Sequence, residues 1–186
     1  DGYQADVVAV HQSGVADVAL AELGTAVTGI EPLRVGTAPP APGAVVRLTG
    51  YGLAGTDGSA TTDRLQTGLF TVDRVGDSLI ETSGRRPRAD TSPCPHDSGG
   101  PYFTERPDGT AVLVAVVSTG PGCPHEGPDL SARTDNLGDW IAGTVDGDAG
   151  PGAGSAWWTT ATIGAGVALL LLTAVRRARR PAAVRR

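Results

Sequence analysis

An all-β body is the fold class that the residue pattern predicts, and three observations predict it. The apolar residues fall in short β-branched runs of strand length, the chain carries 27 Gly and 14 Pro, and only one short stretch of the body has helical character. In order, Ala5–Val10 (ADVVAV) and Val18–Leu23 (VALAEL) are the first two runs. Val45–Leu48 (VVRL) leads into Gly50-Tyr51-Gly52, a strand meeting a tight bend. Leu65–Val72 alternates in part, as a half-buried strand does. Val112–Ser118 (VLVAVVS) is continuous and apolar, the pattern of a strand buried on both faces. Asn136–Ala142 (NLGDWIA) has the spacing of a short closing helix. The 186 residues suffice for one such domain and a tail.

Charge is unevenly placed. The net charge is −5, yet residues 1–155 hold all 20 acidic side chains and nine Arg, whereas the stretch from Arg176 onward holds six Arg and no acid. An acidic body repels phosphate, so nucleic acid is not an expected partner. Every basic residue is Arg, and the Ala/Gly/Val/Arg-rich composition is of the kind a GC-rich bacterial genome encodes. The basic end has a membrane explanation. Residues 156–175 (AWWTTATIGAGVALLLLTAV) are uncharged, and a helix of about twenty residues spans about 30 Å of hydrocarbon. Trp157 and Trp158 open the stretch at the depth of an interfacial aromatic belt, and Arg176, Arg177, Arg179 and Arg180 close it. The positive-inside rule then places residues 176–186 in the cytoplasm and residues 1–155 outside the cell. Residues 144–155, poor in bulky side chains, read as a flexible Gly/Pro tether between body and helix. The two cysteines, Cys94 and Cys123, fit either one disulfide or two thiols. An extracellular body favours the disulfide. Two cysteines are too few for a zinc site without histidine help, and neither a metal cluster nor a cofactor motif is apparent.

Residues 94–101 read Cys-Pro-His-Asp-Ser-Gly-Gly-Pro. Two glycines after a serine let the backbone turn closely around it, and the preceding Asp can bury a carboxylate beneath the turn. This segment resembles the nucleophile loop of the chymotrypsin/trypsin-like serine proteases, C-x-G-D-S-G-G-P. The rest of the body agrees in order. Val15-Ala-Asp17-Val-Ala-Leu resembles the strand that carries the triad aspartate, and Leu48-Thr-Gly-Tyr-Gly52 resembles the S-G-W-G bend. Val117-Ser118-Thr-Gly120-Pro-Gly-Cys123 resembles the V-S-W-G-x-G-C strand, and Asn136–Ile141 the start of the C-terminal helix. The resemblance covers residues 1–143. It implies a double β-barrel, with the first barrel incomplete in this chain, and a serine endopeptidase tethered to the membrane.

The resemblance also implies roles. Ser98 is the nucleophile and Asp17 the residue that orients a histidine base. The N–H groups of His96 and Ser98 form the oxyanion hole. Asp97 pairs with the freed amino terminus of an activated enzyme. Cys94 and Cys123 form a disulfide across the specificity pocket. Ser92 is the pocket floor, with Ser118, Gly120 and Asp129 as further substrate-binding positions. A floor serine resembles the chymotrypsin arrangement. Asp129 near the floor either favours a basic P1 side chain, the residue before the scissile bond, or is a surface turn residue after Pro128. The substrate is a protein or peptide.

Two departures stand out. No histidine occupies the triad position, because His11 lies six residues before Asp17 in a strand-end context, His96 sits inside the serine loop, and His125 falls in a loop expected to be solvated. The resemblance places the missing histidine, and most of the first barrel, ahead of Asp1. The isolated chain is then expected to expose apolar strand surface that those strands would cover. The second departure is His96 itself, where the family has Gly and where a Cβ adds strain. The second function class is therefore a catalytically inactive pseudoprotease acting as an anchored binding module.

Overall fold

Alternation of apolar and polar side chains builds the core. The computed structural model describes residues 3–54 and 59–147. The expected membrane span at 156–175, the basic tail at 176–186 and most of the tether lie outside the described residues. Among the described residues, no helix is long and apolar enough to cross a membrane.

Nine strands and one helix make up the body: β1 (Val7–Gln12), β2 (Ala19–Leu23), β3 (Arg34–Val35), β4 (Val45–Gly50), β5 (Gln66–Val75), β6 (Leu79–Arg86), β7 (Pro101–Glu105), β8 (Ala111–Thr119), β9 (Pro128–Arg133) and α1 (Gly138–Val145). Strands β4 to β9 close on themselves. The order is β8-β7-β4-β5-β6-β9, and β9 pairs back with β8 to complete a barrel of six antiparallel strands. Closure leaves these strands no free edge. The two-residue β3 adds to β8 in parallel.

Every second residue of the barrel strands points inward. Val46 and Leu48 of β4, Phe70 and Val72 of β5, and Ile80 of β6 are buried, as are Tyr102, Val114 and Val117. Phe70 and Tyr102 meet edge to face, with centroids 5.2 Å apart and planes at 89°, the arrangement that ring quadrupoles favour. Burial pushes the Tyr102 phenol well above its ordinary range, and the neighbouring Thr82 hydroxyl offsets part of that shift.

Strands β6, β7 and β9 have weak sequence signals. Thr82 and Ser131 point into the core where the pattern would show apolar residues. Strands β7 and β9 each begin with Pro, which has no N–H to give a ladder and is tolerated at a first strand position. The helix also differs from expectation: it runs to Val145, past the boundary drawn at 143.

The β1–β2 hairpin forms its own two-stranded sheet. Val8 and Val10 are 60% and 66% exposed, and Val7 and Leu23 are also open. The hairpin therefore presents apolar side chains at its surface. The hairpin turn is tight. The Ser13 hydroxyl accepts from the N–H groups of Val15 and Ala16 at 3.2 and 3.3 Å, and the Val18 N–H bonds the Ala16 carbonyl. Such a serine turn competes well with extended backbone and presents the next side chain outward. That side chain is Asp17.

Candidate active site

The loop before β7 is folded by its own backbone. The Asp97 N–H donates to the Cys94 carbonyl at 2.9 Å, and the Gly100 N–H to the Asp97 carbonyl at 2.8 Å. Strand β8 then holds it: the Gly99 N–H donates to Val117, and the Val117 N–H to Gly100. Gly99 has φ 79°, a left-handed conformation that glycine adopts without penalty. Ser98 projects from this turn and is exposed.

Beneath the turn, Asp97 is satisfied by backbone donors. Its carboxylate accepts from the Gly52 N–H at 2.8 Å and the Cys94 N–H at 3.0 Å. A Cβ at Gly50 or Gly52 would overlap that carboxylate. The Gly-Tyr-Gly bend is thus shaped as the seat of Asp97. A cavity of about 300 Å³ opens beside it, lined by Leu48, Phe70, Thr91, Pro124 and Asp97 among others.

Asp17 approaches from the hairpin. The Ser118 hydroxyl donates to its carboxylate at 2.7 Å. Ser118 lies on β8, directly after Val117, whose backbone clamps the Ser98 loop. One strand therefore holds both the serine turn and the aspartate. The histidines are placed elsewhere. His11 Nε2 lies 3.5 Å from Glu22 on the hairpin. His125 engages Asp129. His96 is exposed and has φ 80°, the one non-glycine residue with positive φ among the described residues. Neither the His96 N–H nor the Ser98 N–H donates to an acceptor among the described residues.

The expected pocket-floor residue, Ser92, lies beside the disulfide, its carbonyl 3.7 Å from Cys94 Sγ. Cys94 and Cys123 are bonded, with Cα atoms 5.1 Å apart. Ser92 Oγ accepts the His125 N–H at 3.3 Å. Asp129 is a strand residue of β9 and 3% exposed, which removes the surface-turn reading. His125 also departs from expectation. Its side chain is only 11% exposed, and its Nε2 lies 3.1 Å from Asp129 Oδ1. Burial raises the Asp129 pKa, and the His125 contact opposes the shift. A Cβ at Gly120 would overlap Asp129 Oδ1, so the carboxylate reaches across from β9 to the chain just after β8.

The trypsin family model matches residues 4–141. The chain belongs to the trypsin family. No curated protein matches it. A trypsin-like domain takes a protein or peptide as its substrate, and the closed six-stranded barrel with one short helix agrees with a trypsin-like fold.

Within this trypsin-family domain, sequence reading missed the His125–Asp129 pair. The available signal was spacing: four residues apart, one in a Gly/Pro loop and one at the start of a strand. That spacing has meaning only once β9 is known to begin at Pro128 and to turn Asp129 inward.

Proposed function

We propose that this trypsin-family protein is a serine endopeptidase that cleaves peptide bonds through an acyl-enzyme. The observation that carries the reading is the Ser118–Asp17 hydrogen bond, which sets the orienting carboxylate on the strand that clamps Ser98. Ser98 would attack the scissile carbonyl. The free N–H groups of His96 and Ser98 would stabilise the oxyanion. A histidine held by Asp17 would take the serine proton and return it to the leaving amine. The histidines of this sequence are His11, His96 and His125, and the engagements of His11 and His125 support a base supplied by polypeptide ahead of Asp1. The same polypeptide would cover the open valines of the β1–β2 hairpin. The freed amino terminus of an activated form would enter the cavity beside Asp97.

The uncharged stretch at 156–175, between a Trp pair and an Arg cluster, supports a single membrane span with the protease domain outside the cell. A second reading, an anchored pseudoprotease that binds without cutting, draws on His96 at positive φ in the oxyanion loop.

Labelling with a fluorophosphonate separates the two. The protein, extended to its natural start, should label at Ser98 and lose labelling in Ser98→Ala. A folded, processed protein that does not label would establish the pseudoprotease.

A further inference from the structure

The arginines of the body are served unevenly. Arg47, Arg74, Arg88 and Arg133 each meet a carboxylate. Arg64, Arg85 and Arg86 are exposed and meet none among the described residues, although residues 1–155 hold 20 acids against nine Arg. The three share one end of the β5–β6 ribbon: Arg86 stands opposite Leu69, and Arg64 lies just ahead of β5. A bulge gathers two of them. Phe70 pairs with Gly84 and Leu69 with Arg86, so Arg85 is an extra residue on β6. A regular strand sends consecutive side chains to opposite faces, whereas a bulge breaks the alternation and re-aims a side chain. Pro87 follows, exposed and without an N–H, and β6 stops at Arg86. Like charges held side by side on a sheet repel. Asp90, the acid of the loop that follows, does not relieve them, because Arg88 takes both its oxygens at 2.7 and 2.8 Å. Asp63, next to Arg64 in sequence, forms no ion pair with them either. Leu65, 55% exposed, adjoins Arg64.

We propose that Arg64, Arg85 and Arg86 form a docking surface for an acidic segment of a protein, apart from the residues that carry the chemistry. The proposal names a substrate class, acidic polypeptide, and rests on the endopeptidase reading for the word substrate alone. A guanidinium is a fork of donors that fits a carboxylate with two bonds, and these three have no carboxylate of their own chain to serve. Glu or Asp side chains would supply the acceptors, and an apolar neighbour would lie on Leu65. The rest of the body is acidic and repels such a segment, so attraction is concentrated at this surface. A lipid headgroup layer suits it less. Lipid recognition by charge uses clusters of about four to eight basic residues, and interfacial binding needs more apolar area than one leucine. The strand that carries Arg85 and Arg86 continues through residues 87–93 into the Ser98 loop. A segment held on it would add binding energy that is equal before and during bond breaking, which lowers KM and leaves kcat unchanged.

A fluorescein-labelled peptide of Glu residues around one Leu, and its Gln counterpart, probe the surface without catalysis. Fluorescence anisotropy with the full-length Ser98→Ala protein should show saturable binding of the Glu peptide that weakens as salt is raised. Combining Arg85→Ser with Arg86→Ser should weaken it about tenfold, the weight of two exposed ion pairs. Arg64→Ser should weaken it about threefold, and it keeps the test decisive if the double variant fails to fold. Arg106→Ser, in the β7–β8 turn where the arginine is also exposed and unpaired, should change nothing. Equal affinity for the Glu and Gln peptides overturns the proposal. So does a loss in Arg106→Ser as large as in the double variant, which would mark a diffuse attraction. Glycerol phosphate, a soluble headgroup analogue, would assign the surface to lipid and overturn the proposal if it bound through Arg85 and Arg86 while the Glu peptide did not. If the Glu peptide binds through the arginines and the native protein never labels at Ser98, the surface stands and the endopeptidase falls. If Ser98 labels but an acidic segment changes neither KM nor binding, the surface falls and the endopeptidase stands.

Discussion

Ser118 Oγ donates a 2.7 Å hydrogen bond to Asp17 Oδ2, joining side chains 101 residues apart. The bond runs between the hairpin and the barrel, so it aligns two elements that share no sheet. On the proposed endopeptidase reading, Ser118→Ala in the protein extended to its natural start should lower kcat about tenfold at unchanged KM. That is the weight of about 1.4 kcal/mol for one charge-assisted bond in a solvent-reachable place. Asp17→Asn should cost about 10⁴-fold in kcat, because the base then loses its correct tautomer. Steady-state hydrolysis of a peptide ester checks both. A Ser118→Ala enzyme as active as the native one would remove the role assigned to this bond.

His96 holds a left-handed backbone without being glycine. Such a conformation costs of order 1–3 kcal/mol for residues with a Cβ, least for His, Asn and Asp and most for β-branched ones. Thermal melts should therefore rank Gly at or above His and Val well below. His96→Val is expected to lose about 1–2 kcal/mol, whereas His96→Gly keeps the oxyanion N–H and should label with fluorophosphonate at least as fast as the native protein.

Gly52 gives its N–H to Asp97 and leaves room for the carboxylate. Gly52→Ala puts a methyl group in that room. The expected loss is about 2–3 kcal/mol, from overpacking and a displaced half-buried acceptor. Ser98 labelling should fall with it, because Asp97 anchors the turn from below. Ala at Gly109, whose Cβ would meet nothing, tests left-handed strain alone. A Gly52→Ala protein that melts and labels like the native one would show that Asp97 does not depend on this seat.

How much of this was legible in the sequence depends on how local each feature is. The Asp97-Ser98-Gly99-Gly100 turn is closed by bonds within a few residues, so its residues announce it. Strand β8 is announced by its run of β-branched side chains. Strands β6 and β9 were silent because their inward positions include Thr82, Asp129 and Ser131, which break the apolar alternation. His125 looked like a loop residue because its burial comes from partners it meets only when the disulfide and β9 bring the loop inward. The seat under Asp97 was half legible. The two glycines suggested a bend, but nothing local shows a carboxylate from 45 residues away resting on it.

Asp129 makes stability depend on pH. Burial raises its pKa above the ordinary 3.8, so the folded state holds its proton more tightly than the unfolded state does. This contribution is fully favourable at low pH and is lost as pH rises from about the unfolded value through the raised folded value. Asp129→Asn has no such term. The variant should melt higher than the native protein at neutral pH, and the gap should close on acidification through that window. Paired melts from pH 7 down to pH 3 check it, and a gap that widens in acid would mean that His125, not burial, governs this carboxylate.

The bridge between Cys94 and Cys123 joins the loop that presents Ser98 to the loop that carries His125. In the proposed endopeptidase, the loop for cutting and the loop for choosing are thus spliced by a single covalent link. A thiol reductant would sever the link without touching Ser98, Asp17 or Asp129. The first property to go should be discrimination between substrates, with bond-breaking outlasting it. Redox poise would in that sense act on the enzyme's accuracy before its speed.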